Sequence, residues 1–287
     1  MTRSVWGTWN WDLLTLSILA IGAVAYLFGV RALWGGGRRG RGVSPWRAAA
    51  FVGGLVAVGG ALISPLDHAS EALLSAHMTQ HVILIVVAAL LLVLGRPGLV
   101  LLSSLPPSWR RPAHQVQTGR PVRAATKLLT TPVVAWFLQV VVLWGWHVPR
   151  AYQAALKHPP IHWLEHASFL ATAMLFWWVA LEPGSHRRLA LGGDVFYVLT
   201  AWLQGGALGA LFAFAATPVY PAYALQAAAI GANALHDQQV AGLIMWIPGG
   251  LVYLGAACVL FVSWLKREEE AGRLADAVTA PSEALRA

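Results

Sequence analysis

Charge is scarce in this sequence. Only 11% of its 287 residues are Asp, Glu, Lys or Arg, against roughly 25% in soluble domains. A soluble chain of this length buries a good core but still needs a charged exterior, and these residues do not provide one. Hydrophobic residues make up 57%, so lipid is the expected solvent for most of the surface. Cysteine is almost missing too. Cys258 stands alone, which excludes an intrachain disulfide and any C-x-x-C metal or redox motif. Charges are absent from the middle of the first four apolar runs, which argues against an ion or proton transporter. A net charge of +8 would suit nucleic acid if the bases were clustered. They are instead divided among short segments between apolar runs, so membrane lipid rather than nucleic acid is the expected partner.

A bilayer-spanning helix takes about 20 mostly apolar residues. Seven runs qualify: 12–34, 47–66, 70–94, 131–148, 160–182, 194–216 and 236–265. The expected fold is all-α, a polytopic bundle of seven transmembrane helices. The membrane domain covers 1–265, and a polar cytoplasmic tail covers 266–287. Gly205 and Gly209 form a G-x-x-x-G pair that lets a neighbouring helix approach closely. Pro248-Gly249-Gly250 is expected to kink the last run. The first run reads as an anchor rather than a cleaved leader. The basic stretch 95–130 is expected to lie along the membrane surface.

Of the 20 Lys and Arg residues, all but Arg3, Arg150 and Lys157 fall on one side of such a bundle. They include Arg38, Arg39 and Arg41 after the first run, and Arg110, Arg111 and Arg120 after the third. Arg187 and Arg188 follow the fifth, and Lys266 and Arg267 the seventh. The positive-inside rule then places the N-terminus outside and the C-terminus in the cytoplasm.

The ten histidines fall unevenly on this topology. His114 and His186 lie in inner loops; the other eight lie in outer loops or the outer parts of helices. His77 and His81 are one helical turn apart, which puts both imidazoles on one face. His162 and His166 repeat that spacing. His147 closes the fourth run before Pro149, and His236 opens the seventh beside Asp237. Polar rings in apolar helices face a bundle interior and carry a task, so these positions are candidate metal ligands. The core of the set is His77, His81, His162 and His166, with His147, His236 and Asp237 at the rim. Met78 lies on the same arc and offers a soft thioether. His68 and His158 belong to loops where water satisfies them. Imidazole suits copper, zinc and iron alike. More than four candidates are too many for one ion, so some act through others or an ion moves between overlapping sites. Protonation near pH 6 is expected to weaken imidazole ligation.

Several segments resemble the CtaG family of bacterial membrane proteins needed to assemble cytochrome c oxidase. The matching stretches are His77-Met78-Thr79-Gln80-His81, and Trp146-His147-Val148-Pro149 with Tyr152. His162 to His166 leading to Phe176-Trp177-Trp178, and Asp237-Gln238-Gln239 running to Met245-Trp246, complete the set. The resemblance implies a multi-pass assembly factor in the bacterial inner membrane. Such a factor would act on cytochrome c oxidase subunits as a copper chaperone, without turnover chemistry. The lack of a second cysteine places any copper on His and Met rather than on thiolates.

Two other readings compete. His162-Trp163-Leu164-Glu165-His166 reads as H-x-x-E-H, a zinc hydrolase pattern with Glu as general base. Alternatively, His from two helices, with Gly205, Gly206 and Gly209 making room, would suit haem b in an electron carrier.

Overall fold

The computed structural model describes residues 8–181 and 192–284, with side chains described as far as residue 273. Arg3, His186, Arg187 and Arg188 of the sequence reading lie outside these limits. Every regular element among the described residues is helical. Eight helices begin on proline, at Pro45, Pro65, Pro97, Pro107, Pro132, Pro149, Pro159 and Pro221. A proline at the first helical position has a preset φ and lacks only an N–H that no carbonyl would have received. The elements are α1 (Leu13–Trp34), α2 (Pro45–Leu62), α3 (Pro65–Ala72), α4 (Leu74–Val82), α5 (Ala89–Leu94), α6 (Pro97–Ser104), α7 (Pro107–Thr118) and α8 (Arg120–Leu129). They continue as α9 (Pro132–His147), α10 (Pro149–Lys157), α11 (Pro159–Leu181), α12 (Gly193–Ala213), α13 (Pro221–Ala229) and α14 (Ala234–Ala284).

Among the described residues, six helices are long and apolar enough to cross a membrane, with α4 and α5 counted as one segment, Leu74–Leu94. α9 is too short alone and qualifies only with α8, from which it bends by 69°. Large apolar side chains such as Ile21, Val56, Phe137, Leu203, Leu251 and Val259 are exposed. Outward apolar faces on helices of this length suit a multi-pass membrane protein.

Between α4 and α5, residues Ile83–Ala88 form a π-helical segment. Such a segment inserts one residue into the helical phase. The Trp177 indole donates to the Ile85 carbonyl within it at 3.1 Å, and Trp177 stacks on Tyr253 of α14. The packing core runs through α4, α9, α11, α12 and α14, while α1, α2, α5 and α6 form a second cluster beside it.

α12 and α14 make the most extensive pairing. Gly209 is where they meet: a Cβ on Gly242 would overlap the Gly209 carbonyl, whereas one on Gly205 would meet nothing within 4 Å. The close approach expected of the glycine pair therefore belongs to Gly209 with Gly242, and Gly205 borders open space. α14 also runs through Pro248 without a break. The Pro248 ring is exposed, and Gly250 lies against the Trp202 indole. The stretch expected at the membrane surface forms three short helices. α6 packs on α1, and α7 and α8 bury no residue.

Candidate metal centre

α4 begins later than its apolar run suggests. Leu73 is extended, and the first helical residue is Leu74, so at 1.5 Å per residue His77 lies about one turn inside the helix and His81 about two. The start is fixed from a distance. Asp237 of α14 accepts from the Leu74 amide at 2.6 Å and from the Ser75 amide at 3.4 Å, and the Ser75 hydroxyl donates to its other oxygen. Free amides at a helix start need acceptors, and a carboxylate there also meets the positive end of the helix dipole. Asp237, read from sequence as a rim ligand, is engaged in capping. Gln80 donates to the Ala61 carbonyl and to Asp67, tying the same helix to α2 and α3.

The helix so placed presents His77 and His81 to α11. His77, His81, Glu165 and His166 are all buried, and one ligand atom from each lies within 4.8 Å of all the others. The two Nε2 atoms of His77 and His81 are 2.9 Å apart. Two ligand nitrogens of one ion with bonds of roughly 2.0–2.1 Å can be that close. Glu165 Oε1 stands 3.8 Å from His81 Nε2.

The orientation of His77 follows from donors and acceptors. Tyr223 of α13 is a neutral phenol, because burial raises its hydroxyl above the usual range. It donates its one proton to the Ser70 carbonyl at 2.7 Å. The contact from His77 Nδ1 to the same oxygen, 2.9 Å, is therefore an N–H donating, and His77 Nε2 carries the lone pair that faces His81 Nε2. Tyr152 stacks on Tyr220 with centroids 4.0 Å apart and closes the site beside His77. Phe169 lies against His81, with ring centroids 4.7 Å apart.

Of the histidines and Glu165 here, five buried atoms have no hydrogen-bond partner among the described residues: His81 Nδ1, His162 Nε2, His166 Nε2 and both oxygens of Glu165. Each such atom costs on the order of 1–3 kcal/mol. Native interiors seldom leave several together without a reason.

The remaining predicted residues divide. His162 is half-buried, with its ring 4.2 Å from that of His166, but lies outside the mutual set of four. His147 is buried near His81 and contacts Met78. His236 is exposed. Glu165 is the residue that the sequence reading left out of the set, although the H-x-x-E-H spacing contained it. Tyr152 entered the sequence reading only through the resemblance, and Tyr220 and Tyr223 carried no sequence signal.

Two cavities approach the site. One, of about 650 Å³, is lined by Asp12, Asp67 and Glu71 and reaches His77, His162 and His166. The other, of about 50 Å³, is bordered by His81, His147, Gln139, Gly205 and Gly206. It is small beside the roughly 300–1,000 Å³ of small-molecule pockets, so the glycine cleft offers no room for a macrocycle.

A family model described as cytochrome c oxidase caa3 assembly factor (Caa3_CtaG) matches residues 24–267. No curated protein and no solved structure matches the chain.

Proposed function

The chain belongs to the cytochrome c oxidase caa3 assembly factor family, and on that premise we propose that it binds copper at His77, His81, His166 and Glu165 and passes it to an oxidase subunit. We count the bent α8–α9 pair as one span. The protein then crosses a bacterial cell membrane seven times, with its N-terminus outside and the histidines toward the outer face. The observation that carries this reading is the buried convergence of His77, His81, His166 and Glu165, in which His166 Nε2 and both Glu165 oxygens have no hydrogen-bond partner among the described residues. One ion would give those atoms a partner, and a set of imidazoles with one carboxylate suits a first-row metal. The larger cavity supports entry from outside, since Asp12, Asp67 and Glu71 favour cations along a path ending on His162 and His166. His162, outside the set of four, is a natural first contact.

Elemental analysis and an absorption spectrum of protein purified without chelator test the proposal. Copper without a Soret band is the expected result. A Soret band, or no copper, sinks it. The position of Glu165 favours a second reading, a zinc hydrolase with Glu165 as general base. Zinc in place of copper, with amide or ester hydrolysis lost in Glu165→Gln, would decide for it.

Tyr223 is a positioning residue in this scheme. Tyr223→Phe removes the acceptor that holds His77 Nδ1–H and so frees its ring and tautomer. Copper affinity, measured by competition with a chromophoric chelator, is expected to fall by about 10–100-fold, the usual effect of losing such a partner. An unchanged affinity would mean that His77 is oriented without it.

A further inference from the structure

The chain holds more imidazoles than one ion can take, and the structure separates one of them by its chemistry. His147 lies outside the mutual set of four, with its ring centroid 5.8 Å from that of His81. Its Nδ1 is 2.7 Å from the Leu143 carbonyl. A carbonyl only accepts, so Nδ1 carries the ring proton and Nε2 the lone pair. That Nε2 is 3.4 Å from Sδ of Met78, and a thioether has no proton to donate. Neutral His147 and Met78 therefore meet lone pair to lone pair.

A second proton on His147 would fill the gap but would bury a full charge. Phe169 and Phe212 flank the ring, and no ion pair reaches it among the described residues. Such a charge is costly to bury unpaired. The alternative that leaves both groups neutral is a soft cation between them. The separation is one that a single ion with bonds of roughly 2.0 Å to nitrogen and 2.3 Å to sulfur can bridge.

We propose that His147 Nε2 and Met78 Sδ form a second metal position, selective for a soft monovalent cation, Cu(I), and distinct from the site of His77, His81, His166 and Glu165. It rests on the copper reading above. A nitrogen–thioether pair favours Cu(I), whereas a site containing a carboxylate tolerates harder ions. The placement fits a hand-off. His77, His162 and His166 face the acidic cavity, while His147 borders the separate cleft with Gly205 and Gly206. His81, a member of the first site, borders that cleft as well, with its ring centroid 5.8 Å from that of His147. The soft pair is the place from which cargo leaves.

The test uses the full chain in detergent, with Cys258→Ser to remove the one thiol, loaded anaerobically with Cu(I) alone. Two Cu(I) per chain are expected, with a sulfur neighbour in the X-ray absorption spectrum. Met78→Leu, close in volume, is expected to bind one and to lose the sulfur signal. Selenomethionine labelling avoids any doubt about folding, because it leaves the packing intact and should give a copper–selenium distance. One Cu(I) per chain with nitrogen and oxygen neighbours only, in wild-type and labelled protein, overturns this inference and leaves the first site standing. No bound copper at all overturns both.

Discussion

Copper affinity is expected to fall by at least about two orders of magnitude when His77→Ala and His166→Ala are combined. The two imidazoles come from different helices, α4 and α11, so the pair removes a ligand from each wall of the site. Loss of a mere supporting partner costs about 10–100-fold, and loss of two direct ligands should exceed that. His236→Ala is the matched control. Its side chain is exposed, and the same titration should change less than about twofold, the effect of a surface substitution away from special features. Circular dichroism checks that all the variants remain helical. In cells lacking the wild-type protein, the double variant should leave the oxidase short of copper, and the His236 variant should restore it. Equal titration curves for the double variant and wild type would remove His77 and His166 from the metal site.

The contrast between His166 and His236 shows how far residue order alone could carry the reading. The i, i+4 pairs on α4 and α11 were legible because helical spacing dictates a shared face whatever the neighbours are. The ring centroids of His162 and His166, 4.2 Å apart, follow directly from it. His236 and Asp237 were grouped with them on depth alone, and depth does not say which way a side chain points. Asp237 turns to α4 and fixes its start, a contact across 163 residues that no local signal announces. For the same reason the expected entry of that helix near residue 70 gave way to Leu74.

On α11 taken alone, Glu165 lies to one side of the His162–His166 stripe, which gives no reason to group it with them. In a bundle the site is enclosed by several helices, and a residue beside the stripe meets α4 instead of lipid. The π segment at Ile83–Ala88 was hidden as well, because an unbroken run of Ile, Leu, Val and Ala has no period to reveal an added residue. α9 was legible as an apolar run. Its bent connection to α8 depends on packing rather than composition.

Replacing Glu165 by leucine is expected to make the metal-free protein more stable and the metal-loaded protein no more stable than that. Both carboxyl oxygens are buried without a hydrogen-bond partner, and Glu165 is 0% exposed. A buried polar group in that state is a cost to the apo fold, and an apolar side chain of similar volume removes it. Glu165→Leu should therefore raise apo stability by about 1–3 kcal/mol. Wild-type protein should instead gain on metal addition, by about 2.7 kcal/mol at a hundred times the dissociation constant. The variant should show little of that gain. Thermal unfolding in detergent, followed by tryptophan fluorescence with and without copper, reads both effects. A structural role predicts the opposite sign, since removing a group that holds the bundle together lowers the apo melting temperature. If Glu165→Leu melts below wild type without metal, the carboxyl is part of the scaffold, and the site reduces to its imidazoles. If it melts above, the chain keeps a destabilising group at its centre, as expected of a residue retained for binding rather than for folding.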